Sequence, residues 1–423
     1  MTFDWLSPKN LLIAFLLFFA VLDFYPFSYT LQIYSFLGFA AVCLAYLATR
    51  PSLSLIDEDN LKPLLFLGFW FVYNGITLFW ALDKEEVMWW ALYISRYAIT
   101  FWVFSILFRK KEIKRLMPVI WAEIFLLYII TAIWEMTVWD HLPSSRFYGR
   151  KIWVPTGPFY GENILASFII LLLPFTVLLP LYLKKNWLFI LSLALLIGSF
   201  VIITLQGARI AMLAMFAFVA YYFIRHTGWR AKVISLSVLA LLVGFVVIKY
   251  KEPVEQFEEM FKHQTSTITS EASSLHMSSV QIRKQLIREA VDITVESNLL
   301  GVGGGNFEYV MSSERQFRTA WITNAHNYIM ELLGNHGIIL FSWFLFLYSW
   351  WLYRLWVLYR NSEGRDRYLY LMYLSSLLIF AATSVLPSSL RWNYHIWIYF
   401  AAINAMCHKT EQDREERFLP LGN

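Results

Sequence analysis

Charge is scarce in this chain: only 15% of its 423 residues are Asp, Glu, Lys or Arg, against 58% hydrophobic ones. A water-soluble globular domain of that balance would expose large apolar patches, so lipid is the expected solvent for most of the chain. Cysteine is scarcer still. Cys43 and Cys407 are the only two, and both fall in long apolar runs, which excludes a disulfide framework and a cysteine-based metal site. There is no HExxH, no Cys/His cluster and no GxSxG elbow, so metal hydrolase and serine hydrolase chemistries have no local support. The glycine run Gly301-Val302-Gly303-Gly304-Gly305 lacks the Gly-Lys-Ser/Thr ending of a phosphate loop and reads as a tight turn beside a pocket.

What the chain has instead is a succession of apolar runs of bilayer length, about 20 residues each. Twelve such spans are expected, at 11–27, 31–48, 63–82, 88–108, 116–138, 163–183, 187–205, 208–224, 233–248, 338–359, 368–386 and 392–407. The fold class is therefore an all-α polytopic membrane protein, with residues 1–423 forming one transmembrane domain. No small-residue cleavage site follows the first run, so it is expected to stay in the mature chain.

Basic residues alternate between the connections, as the positive-inside rule requires of real spans. One side receives Arg109, Lys110, Lys111, Lys114, Arg115, Lys184, Lys185, Arg225, Arg230, Lys232, Arg354, Arg360, Arg365 and Arg367. That side is read as cytoplasmic, and both termini fall on it. The opposite side keeps two longer loops, 139–162 and 249–325, and is read as the functional surface. The net charge of +5 thus reflects topology, and no nucleic-acid partner is expected.

Within the long outer loop, 252–261 reads as a short acidic amphipathic helix. Residues 278–297 form a better-patterned one, in which Ile282, Leu286, Ala290 and Ile293 recur at helical spacing with Arg283, Lys284 and Arg288 around the rest. That helix is expected to lie along the membrane surface, facing a cavity.

Several outer residues carry chemical potential. His326-Asn327 stands at the entrance to the tenth span, either as an interfacial histidine with satisfied hydrogen bonds or as a general base at the membrane–water boundary. Arg209 follows Gln206-Gly207 at a helix start. It either snorkels to the interface or, with exposed backbone N–H groups, holds a phosphate-type anion. Arg283 and Arg288 are placed to approach the same anion. Arg146, Arg150, Lys151, Arg315, Arg318 and Arg391 run against the positive-inside trend, and misplaced cations need anionic partners. Asp23, Arg96 and Glu135, in or near spans, are candidates for transport or structural roles.

Four stretches in this order, PTGPFYGENILASF with Asn163, LQGARIAMLA with Arg209, NLLGVGGGNF, and NAHNYIMELLGNHG with His326, resemble the bacterial O-antigen ligase and O-antigen polymerase superfamily. Its ligase branch carries a His-Asn/Ser/Gln pair, nine residues, then Gly-x-x-Gly/Thr/Tyr. Here His326-Asn327 is followed after nine residues by Gly337, and Leu340 departs from the pattern at its last position.

The resemblance implies a glycosyltransferase of the cytoplasmic membrane acting on its outer face. It would move a saccharide, with inversion, from an undecaprenyl-pyrophosphate donor to the hydroxyl of a glycan or glycolipid acceptor, without metal or other cofactor. His326 would take the acceptor proton, while Arg209 and Arg288, with Arg283 as the substitute for Arg288, would bind the pyrophosphate. Asn163, Gln206, Asn327, Arg146 and Arg150 would complete the substrate site. Tyr148, Trp153, Phe159, Tyr160 and Tyr328 offer faces for sugar stacking or for interface anchoring. The implied reaction is ligation, or extension of an O-antigen, capsule or teichuronic-type polysaccharide. A peptidoglycan-type polymerase and a lipid-linked glycan flippase or transporter are the competing readings.

Overall fold

A computed structural model describes residues 58–109, 111–226, 279–387, 389, 391 and 395–408. The expected spans at 11–27, 31–48 and 233–248, the acidic helix at 252–261, Asp23 and Cys43 lie outside these residues. Every other expected span coincides with a helix. In chain order these are α1 (Glu58–Ile76), α2 (Lys84–Leu107), α3 (Lys111–Val138), α4 (Glu162–Leu183), α5 (Trp187–Leu205), α6 (Arg209–His226), α7 (Ser279–Glu296), the short α8 (Asn306–Val310), α9 (Tyr328–Asn361), α10 (Gly364–Thr383) and α11 (His395–Cys407). Among the described residues all regular structure is helical, and six helices are long and apolar enough to cross a membrane. The protein is an all-α polytopic membrane protein.

α4 is apolar all round and almost wholly buried, which makes it the centre of the bundle. It packs along α3, α5, α6 and α10, while α2 lies against α1 and α11, and α9 joins the two groups through α1, α10 and α11. Polar side chains stitch the apolar core where helices cross: Ser376 donates to the Leu171 carbonyl at 2.5 Å and Trp351 to Asn404 at 3.1 Å.

The two ends of the bundle differ in chemistry. At one end Lys114 donates to the His408 carbonyl at 2.7 Å, Tyr182 to the Arg115 carbonyl at 2.8 Å and Arg354 to the Cys407 carbonyl at 3.0 Å. Arg365 there covers the Tyr182 ring at 4.2 Å. These are residues that the charge alternation puts on one side, and they do gather together. At the other end the loops 77–83, 139–161, 206–208, 297–327 and 384–387 interlock, and this end holds the candidate site.

The amphipathic helix expected at 278–297 is α7, but its apolar row does not face a membrane. Leu286, Ala290 and Ile293 are buried with Phe307, Val310, Met311 and Ala325 in a separate small core, and α7 packs on α9. Burial against protein was available because α8 and the turns after it supply a matching apolar surface.

Candidate functional site

The site is held by a break in α9. Gly337 has φ 73° and ψ −173°, a conformation essentially reserved for glycine, and it interrupts the helical ladder within a membrane-spanning helix. Backbone groups freed inside lipid must find partners in the protein. The glycine loop provides them: Val302 and Gly303 donate to the Gly334 and Asn335 carbonyls at 3.1 and 2.8 Å, and Ile338 donates to the Leu299 carbonyl at 2.9 Å. A Cβ on Gly337 would lie 2.2 Å from the Leu299 carbonyl oxygen, so loop and break fit only because the side chain is missing. Trp80 and Tyr73 anchor the loop to the end of α1 by donating to the Gly301 and Leu300 carbonyls at 2.8 and 2.7 Å. Asn306 brackets Asp83 with bonds of 2.7 and 2.9 Å. The glycine run is thus a structural clamp.

Ahead of the break, Asn327 caps α9, its side-chain oxygen accepting from Ile329 and Met330 at 3.0 and 3.3 Å. Asn327, expected among the substrate residues, thus has its side-chain oxygen engaged at the helix start. His326, just before the cap, has a positive φ of 45°, unusual for a residue with a side chain. Its ring is half-buried, and its Nδ1 has no hydrogen-bond partner. Burial, followed by the positive charges of Arg283 and Arg146, pushes its pKa down to about 4, so the imidazole is neutral at physiological pH.

The outer arginines divide into two sets. Arg315 pairs with Glu289 at 2.9 Å and with Glu296, Arg318 reaches Glu289 at 3.5 Å, and Arg391 meets Glu86 at 2.9 Å. Their anionic partners are carboxylates of the protein itself. Arg146 bonds Glu162 at 2.5 Å while its charge still acts on His326. Arg283 is different: it is half-buried, burial lowers its pKa, and it makes no ion pair with a carboxylate among the described residues. Arg288, the arginine expected to serve the anion, is exposed. The two stand five residues apart, about 140° around the helix, so they cannot both face His326. Arg150 is exposed, Asn163 is half-buried in the first turn of α4, and Arg209 is exposed at the start of α6.

The loop between α3 and α4 is organised from below by Glu135, a fully buried carboxylate of α3. It accepts from the backbone N–H groups of Thr156 and Gly157, both at 2.7 Å, and lies 3.3 Å from Nδ1 of His141. The other ring nitrogen of His141 donates to the Ile152 carbonyl at 2.6 Å. Gln206 donates to the Pro155 carbonyl at 2.9 Å, and its own side-chain oxygen is buried without a partner. Of the aromatic residues offered for sugar stacking, Phe159 of this loop is core, stacked on Phe168 with ring centroids 5.0 Å apart, and Tyr328 of α9 is buried as well. Tyr148 and Tyr160 are exposed and Trp153 is half-buried. Glu86, Glu289, Asn74 and His141 were not marked by their local sequence. Glu162 alone had a signal, standing beside Asn163 in PTGPFYGENILASF.

Comparison with known proteins places this geometry among relatives. Residues 193–345 match the family model described as O-Antigen ligase, a window that contains Arg209, Arg283, the glycine clamp, His326 and the break in α9. The chain is 25% identical over 403 residues to "Teichuronic acid biosynthesis protein TuaE" of Bacillus subtilis (strain 168), covering 92% of this chain and 80% of that protein. A chain from the solved structure described as "Structural coordination of polymerization and crosslinking by a peptidoglycan synthase complex" superposes with a TM-score of 0.42 at 13% identity, covering 84% of this chain and 97% of that one. The family model and the curated relative support kinship with the O-antigen ligase and polymerase superfamily.

Proposed function

We propose that this protein is a membrane glycan transferase that joins a saccharide from a polyprenyl-pyrophosphate donor to a hydroxyl of an acceptor glycan at the outer face of the cytoplasmic membrane. The observation that carries the reading is the surroundings of His326. A neutral, half-buried imidazole lies under the positive charge of two guanidiniums, and one of them, Arg283, has no carboxylate partner among the described residues. A base and an anion site side by side are what displacement of a pyrophosphate by a hydroxyl requires.

In the reaction the acceptor oxygen attacks the anomeric carbon, the bond from that carbon to the pyrophosphate oxygen breaks, and the configuration inverts. The hydroxyl proton passes to His326. Negative charge grows on the departing pyrophosphate, where Arg283, with Arg146 and Arg209, supplies fixed positive charge. Pyrophosphate is already a good leaving group, so orientation, charge and one proton acceptor suffice. Arg150 in the loop of Arg146, Asn163 in the first turn of α4 and Gln206 beside the corner that leads to Arg209 are assigned to substrate contact. Arg288, exposed on another face of α7, is given no part.

Leu340 in place of the Gly/Thr/Tyr of the ligase pattern, and a relative named for teichuronic acid biosynthesis, favour chain extension over transfer to a separate lipid acceptor. The test is glycan transfer by purified protein from a polyprenyl-pyrophosphate donor in EDTA, with candidate acceptors offered one at a time. Product that disappears with His326→Ala supports the transferase, and the accepted acceptor separates extension from ligation. The expected loss is about 10²- to 10⁴-fold. Movement of the donor across liposomes without any new glycosidic bond would sink the proposal in favour of a flippase.

A further inference from the structure

The mechanism uses no buried carboxylate, yet Glu135 is fully buried near the end of a membrane-spanning helix. An ionisable side chain there is costly unless it is richly bonded, and its bonding pattern shows what it serves. The two N–H donors at 2.7 Å come from one turn, Thr156 and Gly157, toward the far end of a loop that begins four residues after Glu135 itself. The Thr156 hydroxyl adds a longer bond of 3.3 Å. The loop is therefore closed on itself at Glu135, with His141 completing the closure from its near end.

Two donor-site arginines depend on this closed loop. Arg146 sits within it, its backbone N–H bonded to the Tyr160 carbonyl at 2.9 Å, its guanidinium paired with Glu162 and its charge acting on His326. Arg209 is tied to it from outside, because the Pro155 carbonyl, next to the Glu135-bound turn, receives the Gln206 amide that precedes the Gly207–Arg209 corner. Gly207 turns that corner with a φ of 63°, and Arg209 opens α6 immediately after it.

We infer that Glu135 is the positioning residue of the donor site: it touches neither arginine, but by holding the Thr156–Gly157 turn it sets Arg146 and Arg209 in register for one pyrophosphate. This rests on the proposed donor reading. The inference predicts a selective defect. Loosening the turn should weaken capture of the donor anion and leave the acceptor, bound elsewhere, unaffected.

The test uses the full-length protein in nanodiscs, with KM for donor and acceptor measured separately and inorganic pyrophosphate as a competing anion. Glu135→Gln preserves volume and one acceptor oxygen; Glu135→Asp preserves charge at shorter reach. Both should raise donor KM and the pyrophosphate inhibition constant, about tenfold for Gln and less for Asp, with acceptor KM changed by less than about twofold. A purely structural role would lower the folded fraction and kcat while leaving both KM values alone, and that result overturns the inference. So does failure of both variants to reach the membrane folded. Arg146→Gln and Arg209→Gln separate the two levels. If these leave pyrophosphate inhibition unchanged, the donor-site reading itself fails; if they weaken it while Glu135→Gln does not, only the role of Glu135 fails.

Discussion

His326 and His336 stand ten residues apart in the same motif, and their surroundings have little in common. His336 is fully buried, its Nε2 bonded to Asn74 at 3.1 Å and its ring set edge-on to Trp70 and Trp90, each 5.6 Å away. His326 has a positive φ, stands outside the helix, and feels the charges of Arg283 and Arg146. Both leave Nδ1 without a hydrogen bond, so an open nitrogen does not distinguish a working histidine from a packed one. The neighbours do: two indoles and an amide enclose His336 as a core position, whereas the groups that act on His326 are two guanidiniums. The region around 334–337 spends its unusual residues on fold, while the proposed chemistry rests on His326 just ahead of it.

That contrast is broken most severely at Gly337. Gly337→Ala demands a glycine-only conformation of a residue with a Cβ and drives that carbon to 2.2 Å from a carbonyl oxygen. A loss of roughly 3 kcal/mol or more is expected, visible as loss of monodisperse protein in size-exclusion chromatography. Wild-type yield and melting temperature in Gly337→Ala would show that the break is not the clamp described here.

A smaller effect sharpens the other side of the comparison. Arg283→Ala should cut turnover about 10²-fold by removing a fixed charge from the leaving group, whereas Arg288→Ala should stay within about threefold, as expected for an exposed surface charge. Single-turnover rates of the two variants check this directly, and equal losses would mean that both arginines reach the anion.

The least disruptive test is pH. A base works only when neutral, and His326 is neutral above its folded pKa of about 4. The acid limb of kcat/KM, which reports the free enzyme, should therefore fall as pH drops through about 4, with no loss near the ordinary imidazole value of 6.5. A limb at 6.5 would show that burial and the two arginines do not act on this ring. His336→Gln should leave the position of the limb unchanged, since that ring takes no part.

Much of this was legible beforehand. The helices at 88–108, 163–183 and 187–205 follow from apolar length alone, and α7 from the spacing of Leu286, Ala290 and Ile293. What received α7 was not legible, because the apolar surface of Phe307, Val310 and Met311 lies across a loop. Nor were the partners of the misplaced arginines. Glu86 is 305 residues from Arg391, and Asn74 is 262 residues from His336. Before the fold was known, Arg315, Arg318 and Arg391 looked as available to a phosphate as Arg283.

The sequence by itself determined the solvent, the helical class, the alternation of charge between the ends and the motif segments, because hydropathy, helical period and charge placement are local properties that need no partner to be read. The tertiary structure decided which cations are already neutralised by protein carboxylates, which arginine of α7 is half-buried with its charge acting on His326, and that Gly337 breaks a helix to receive a loop. Those depend on residues brought together from distant parts of the chain, and a charge has no chemical availability until its neighbours are known.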